Sequence, residues 1–243
     1  MIADNKNIHF IWYGGDIPKL NLECIESWRI LFPDWNVIVW NQSDLDNIAI
    51  KHFPKITDYV NRFGKFSKKE QRVKNNIYRY IVVYLYGGFY CDVDVMCFKP
   101  LHIDDPDIHF FMEYPLDEFR YDICNPYKQL ISNAIFYSHR GNKFLRRIVF
   151  EMINYPLSID VLKHNVLKHE ITINQLGDGD IFMLFNACHF LTSTVDKYSN
   201  LYSVKIHDNQ LYEPIHKSLR LEFLKSENRP TSCFGLHIST GLC

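Results

Sequence analysis

The sequence predicts an α/β domain: a mixed, mainly parallel central sheet flanked by helices. Two observations predict it. A strand, a helix and a second strand succeed one another within about 35 residues, the unit from which parallel sheets are built. A long helical pattern later runs into Gly87-Gly88 and straight on into another apolar strand.

The elements succeed one another in a clear order. "NIHFIWYGG" is a strand ending in a glycine turn. "NLECIESWRILF" sets Leu22, Ile25, Trp28, Leu31 and Phe32 at helical spacing, and "DWNVIVWN" alternates as the second strand. A helix is predicted over Ser67–Tyr86. Ser67 is its candidate N-cap, with Glu70 placed to complete a capping box. Val73, Ile77, Tyr80, Ile81 and Tyr84 form its apolar face, and Gly87-Gly88 stops it. "FYCDVDVMCF" is the next strand, ended by Pro100. "HFFMEY" and "NAIFYS" are further strands, and "NKFLRRIVFEMINY" is a helix. "SIDVLKHNVLKHE" reads as a helix, "GDGDIFMLFNACHFL" as a loop continuing into a helix, "LYSVKIHD" as a strand, and "SCFGLHISTGLC" as an extended tail. No repeat, low-complexity tract or Pro/Ser linker interrupts the chain, so residues 1–243 are expected to form one domain.

Composition excludes several classes. The 27 basic and 28 acidic residues leave a net charge of −1, which argues against a nucleic-acid binder. "KFSKKEQRVK" is the solvated start of a helix. No stretch approaches the ~18 uncharged apolar residues of a membrane span, and "MIADNKNIHFIW" lacks the basic start and apolar core of a signal peptide. The seven cysteines, Cys24, Cys91, Cys97, Cys124, Cys188, Cys233 and Cys243, are odd in number and none are at CxxC spacing. Reduced, buried thiols and a cytoplasmic location are therefore expected.

The chemistry gathers at "LYGGFYCDVDV". Asp92 and Asp94 are embedded in an apolar run, where two close carboxylates repel each other and are costly to bury without a compensating cation or donors. In a regular strand both would point to one side. They could then grip one divalent cation, Mg²⁺ or Mn²⁺, or divide the work between a cation and a sugar hydroxyl. The alternative is an exposed strand end with two solubilising aspartates. On the preceding helix Arg72, Asn76 and Arg79 share one stripe beside the apolar face, which puts Asn76 and Arg79 at the same cleft. An arginine there either pairs with the carboxylates or binds diphosphate or sugar oxygens.

"NNIYRYIVVYLYGGFYCDVDVMCFKPL" resembles the sugar-binding region with a DXD motif found in a large set of glycosyltransferases. That set includes bacterial capsular-polysaccharide sugar transferases, fungal α-mannosyltransferases and, more distantly, clostridial glucosylating toxins. Arg79, Gly87, Gly88, Tyr90, Asp92 and Asp94 fall in register; Asn76 stands where the family has aspartate. "IHFIWYGGDIP" and "CIESWRILFPDWNVIVWN" resemble the family's N-terminal segment, "ISNAIFYSHRGNKFLRRI" its middle segment, and "VKIHDNQLYEPI" the segment before its C-terminal loop. "GLHISTGLC" is similar to the family's ending, with His237 matching and Gly241 and Leu242 where Ser and Trp are expected.

The resemblance implies a GT-A-type nucleotide-diphospho-sugar transferase fold and a metal-dependent, retaining transfer of a hexose, with attack by the acceptor on the donor's front face. The donor would be a nucleotide sugar, UDP-hexose before GDP-mannose, and the acceptor a glycan or a protein. It implies Mn²⁺ or Mg²⁺ at Asp92, Asp94 and His237, with Asp94 the direct ligand and Asp92 on the metal's water shell and on sugar hydroxyls. It places Ile11, Trp12 and Tyr13 in the nucleotide pocket, with Trp12 stacked on the base. Asn76 would meet a sugar hydroxyl, Arg79 the sugar or phosphate, and Asn133 would line the sugar site. Asp178 is a further candidate for the cleft, although Asp178 and Asp180 also suit the cap of the helix after them. Taken alone, Trp12 reads as a core side chain and His9 as a satisfied core or edge histidine. Two other classes compete. One is an inactive nucleotide-sugar-binding homologue, suggested by Asn76 and the altered tail. The other is a haloacid-dehalogenase-like phosphatase, whose Asp-x-Asp normally ends the first strand of its domain, whereas about 90 residues precede this one.

Overall fold

β1 (Asn7–Ile11) is buried along its whole length, which places it inside the sheet rather than at an edge. The computed structural model describes residues 5–64, 70–113, 130–154, 187–225 and 231–238. After β1 come α1 (Lys19–Leu31), β2 (Asn36–Trp40), α2 (Gln42–His52), α3 (Ile56–Gly64) and α4 (Glu70–Tyr86). Next are β3 (Gly88–Cys91), β4 (Val95–Cys97), β5 (Ile108–Met112) and β6 (Ile131–Ser138). Then come α5 (Lys143–Asn154), α6 (Cys188–Tyr198), β7 (Val204–His207), α7 (Arg220–Lys225) and β8 (Gly235–His237).

Six strands form the main sheet in the order β2-β1-β3-β6-β5-β7. β1 runs parallel to β2 and β3, and β5 parallel to β7; β6 alone is antiparallel to both its neighbours, β3 and β5. The expected mixed, mainly parallel sheet is present. β4 leaves it and pairs antiparallel with β8 in a separate two-stranded sheet. α1 covers one face, where Trp28 and Phe32 pack with Phe89 and Trp28 also meets Phe234. α3, α4, α5 and α6 contribute to the core on the other.

Ile25 and Trp28 of α1 are buried as expected and are joined by Asn21 and Cys24, whereas Leu22 is exposed. α2 and α3 are not among the expected elements. α2 is set by Asn41, whose side chain accepts from the Asp44 amide at 2.9 Å, and by burial of Leu45 and Ala49. α4 is buried on more than its expected face: Val73, Ile77, Tyr80 and Ile81 are joined by Asn75, Asn76, Tyr78, Arg79, Val82 and Val83. Ser67 lies outside the described residues, as do "SIDVLKHNVLKHE" and the start of "GDGDIFMLF", Asp178 and Asp180 included.

The end of α4 sets the position of β3. Gly87 has φ +68° and closes the helix through its amide to Val83 O at 2.8 Å. Gly88 has φ +101°, and a Cβ there would overlap the backbone of Asn7. Only glycine lets β3 lie this close against β1. The Asn7 side chain donates to Tyr86 O at 2.9 Å, and His9 bridges Gly87 O at 3.0 Å and the Trp40 indole at 3.0 Å. His9 is thus a satisfied core histidine. Among the described residues, no helix is long and apolar enough to cross a membrane. Cys24, Cys91, Cys97, Cys188 and Cys233 are free and buried; Cys124 and Cys243 lie outside the described residues.

Candidate active site

The Asp-x-Asp segment is a turn, not the regular strand expected from its apolar neighbours. β3 ends at Cys91; the Asp92 amide still donates to Ala134 O of β6 at 2.8 Å, and the Val95 amide closes the turn on Asp92 O at 3.0 Å. The chain then enters β4 and changes sheet. The turn sits at the carboxyl end of β3, on the sheet edge where open α/β sheets take their ligands. Neither carboxylate is a solubilising surface group: Asp92 is 8% exposed and Asp94 2%.

The β4–β8 ladder explains how a distant histidine arrives. Val95 pairs with His237, and the Ile238 amide donates to Asp94 O at 2.9 Å. His237 Nε2 then lies 3.3 Å from Asp94 Oδ1. Asp92, Asp94 and His237 each offer one ligand atom, all within 4.8 Å of one another.

Arg79 organises the other side. Its guanidinium lies 3.4 Å from Asp92 Oδ1, donates from Nε to Asn75 O at 3.2 Å, and also donates to Asn133 O. The Tyr90 hydroxyl donates to Asp92 Oδ1 at 2.6 Å, and the Asn133 amide donates to Asn76 Oδ1 at 3.3 Å. Asn76, Arg79, Asp92 and Asn133 therefore meet; the helical stripe placed Asn76 and Arg79 here, and Asn133 arrives from β6. Arg72, assigned to the same stripe, is exposed one turn earlier.

Burial raises the Asp92 carboxyl above the usual carboxylate range; Arg79 opposes the rise and Asp94 adds to it. For His237 burial acts downward, but its hydrogen bonds with Asp94 and Glu213 outweigh it and raise the imidazole to about 10. Glu113, raised to about 7 by burial and then by Glu213, lies in the same electrostatic field. Once the imidazolium gives up its Nε2 proton, the two buried carboxylates and the imidazole form a donor set that fits a hard or borderline divalent cation.

Sequence reasoning missed Glu213 and Arg220. His237 Nδ1 lies 3.3 Å from Glu213 Oε1, and Arg220 lies 3.1 Å from that same oxygen. "LYEPI" held the glutamate in view, but no spacing ties a loop carboxylate to an arginine on α7 and a histidine on β8.

The residues after β1 lie at the same sheet edge. Ile11 is buried in the core. Trp12 is half-buried against the α1-side core, with its amide bound to Trp40 O at 3.0 Å and its indole N–H donating to Gly15 O at 2.9 Å. Tyr13 packs on the opposite core; its buried hydroxyl has no hydrogen-bond partner among the described residues. Burial raises that hydroxyl, Asp46 adds to the rise and Arg79 acts against it, so Tyr13 feels the charges of the cleft. Asp178, Gly241 and Leu242 lie outside the described residues.

A mainly parallel sheet with a buried Asp-x-Asp turn at its strand ends is a GT-A-like architecture. Residues 18–116 match the family described as the glycosyltransferase sugar-binding region containing DXD motif, which covers Asn76, Arg79, Asp92 and Asp94. The chain is 26% identical over 144 residues to inositol phosphoceramide mannosyltransferase 3 of Schizosaccharomyces pombe, covering 59% of this chain and 36% of that protein. It is 23% identical over 211 residues to the initiation-specific α-1,6-mannosyltransferase of Candida albicans, covering 80% and 53%. The chain thus spans between a third and about half of the length of these curated relatives. Among solved structures it shares its fold with the UDP-bound glycosyltransferase domain of the YGT toxin: TM-score 0.50, 10% identity, 84% of this chain and 79% of that one.

Proposed function

We propose that the chain is a metal-dependent glycosyltransferase domain that moves a hexose from a nucleotide-diphosphate sugar to a glycan or protein acceptor. The observation that carries this reading is the convergence of Asp92, Asp94 and His237 from distant parts of the sequence onto one point. When bound there, Mn²⁺ or Mg²⁺ supplies the positive charge that neutralises the departing nucleoside diphosphate. The chain's own residues do the rest. Asp94 and His237 would hold the cation directly, with Asp92 on its water shell and on ribose or sugar hydroxyls. Arg79, locked by Asn75, Asn133 and Asp92, presents its fork to sugar or phosphate oxygens. Asn76 and Asn133 line the sugar side, and Trp12 and Tyr13, with Ile11 behind them in the core, serve the base pocket.

UDP-hexose is the first donor to test, a choice supported by the UDP-bound structural neighbour. GDP-mannose is its rival, because the fungal relatives are named mannosyltransferases. Retention of configuration rests on the family resemblance. The free, buried cysteines support a reducing, cytoplasmic setting.

The test is release of UDP or GDP from a panel of nucleotide sugars, with and without Mn²⁺. Release is expected only with metal, and Asp94→Ala is expected to abolish it while remaining folded. Full turnover in a folded Asp94→Ala protein would end the reading. A parent protein that binds donor and Mn²⁺ but never turns over supports instead the inactive-homologue reading, which the Asn76 substitution favours.

A further inference from the structure

Behind the imidazole of His237 lies a buried ion pair. Glu213 is 1% exposed and Arg220 6%. Such pairs are poor sources of stability, because desolvation offsets their attraction. Their placement is therefore the informative feature. Glu213 is held at its backbone on both sides: its amide donates to Asn209 O at 2.6 Å, and the Asn209 side chain donates to Glu213 O at 3.1 Å. Arg220, on α7, fixes its side chain at Oε1.

We propose that Glu213 is the positioning residue of the cation site: it accepts from His237 Nδ1–H and so turns Nε2 toward Asp94. The inference rests on the metal-binding reading above and deepens it. An imidazole that ligates through one nitrogen carries its proton on the other, and the acceptor of that proton fixes ring and tautomer. The two nitrogens of His237 are divided in this way. Nδ1 faces Glu213 and Nε2 faces Asp94, each at 3.3 Å. Arg220 has a separate task. It sets a guanidinium 3.1 Å from the third carboxylate of a pocket that already contains Asp92 and Asp94. Glu213 never touches substrate or cation. It acts through His237.

The test is Mn²⁺ affinity by calorimetry, together with pulsed EPR of bound Mn²⁺ to read coupling to an imidazole nitrogen. The parent is expected to bind and to show nitrogen coupling. Glu213→Gln keeps an acceptor oxygen but loses the charge; it is expected to keep the coupling and bind about 10-fold more weakly. The double variant Glu213→Ala, Arg220→Ala removes both charges of the pair together. It is expected to lose nitrogen coupling and bind up to about 100-fold more weakly, through the two aspartates. A folded double variant with parental affinity and coupling overturns the inference. Should it fail to fold, the near-isosteric Glu213→Gln decides: parental affinity there is equally fatal. A parent that binds no Mn²⁺ overturns the metal reading and this inference with it, whereas a binding parent with unaffected variants overturns this inference alone.

Discussion

The Arg79 guanidinium lies 4.8 Å above the centre of the Tyr90 ring, and the hydroxyl of that ring donates to Asp92 at 2.6 Å. One aromatic side chain thus supports both partners of the buried Arg79–Asp92 pair. Arg79→Ala would leave the Asp92 carboxylate buried without its cation, a loss of about 3–5 kcal/mol in urea unfolding. Arg79→Lys should recover only part, since an ammonium cannot reproduce the fork. Adding Asp92→Asn to Arg79→Ala should restore stability. If it does not, the lost charge balance is not the cause.

Two glycines with positive φ should respond differently to alanine. At Gly88 a Cβ would overlap Asn7, whose strand is paired on both sides and cannot retreat. Gly88→Ala is expected to cost more than about 3 kcal/mol or to prevent folding. Gly14 also has positive φ, +135°, but nothing lies within 4 Å of a Cβ there. Gly14→Ala should cost only about 1 kcal/mol. Thermal melts of the two variants, compared at equal concentration, check the contrast.

Stability should fall on the acid side partly through His9. Its imidazole is fully buried and lowered to about 4, mainly by burial, with the Gly87 hydrogen bond acting the other way. The Trp40 indole can only donate, so Nδ1 must accept and the proton sits on Nε2 toward Gly87 O. Protonation would set Nδ1–H against the indole N–H. The unfolded chain binds this proton near pH 6.5 and the folded chain only near 4. Stability is therefore lost as pH falls through that window, by about 3 kcal/mol in full. His9→Gln, which can still accept and donate, should flatten this limb of a pH series of urea unfolding. An unchanged slope would remove His9 from the account.

Trp12 is half-buried, and its indole is tethered to Gly15. If its free face receives the base, UDP with Mn²⁺ should quench part of the tryptophan fluorescence. Trp12→Ala should abolish that change and raise the donor KM, a stacking loss on the order of 1–3 kcal/mol. A quench and KM untouched by the substitution would assign Trp12 to the core alone.

Much of the fold was legible in the sequence because period and punctuation coincide there. β1, β2, β6 and α4 announce themselves by apolar runs closed by glycine or polar residues, and Arg79 and Asn76 share a face because helical geometry requires it. The turn at Asp92–Asp94 was not legible. Its flanks, "FYC" and "VMC", are both strand-like, and only the pairing of Val95 with His237 tells that they belong to different sheets. α2 and α3 were legible but unread: Asn41 caps α2, and Ile56, Tyr59, Val60 and Phe63 of α3 recur at i, i+3, i+4 and i+7. Glu213 and Arg220 escaped because a buried ion pair is a tertiary fact, and either residue alone reads as surface.

The β4–β8 ladder makes the candidate cation site conditional on assembly. Asp94 and His237 stand more than half the sequence apart, so the ligand set exists only after the chain's late strand has docked. Until then the turn offers two mutually repelling carboxylates and no imidazole. Capture of a cation at this point would clasp a very long loop, and long loops gain most from being closed. On the proposed metal reading, loading and complete assembly become a single equilibrium, and the midpoint of unfolding is expected to rise as Mn²⁺ is added. The arrangement would then act as a proofreading step on the molecule's own folding, since a half-assembled chain lacks the third ligand.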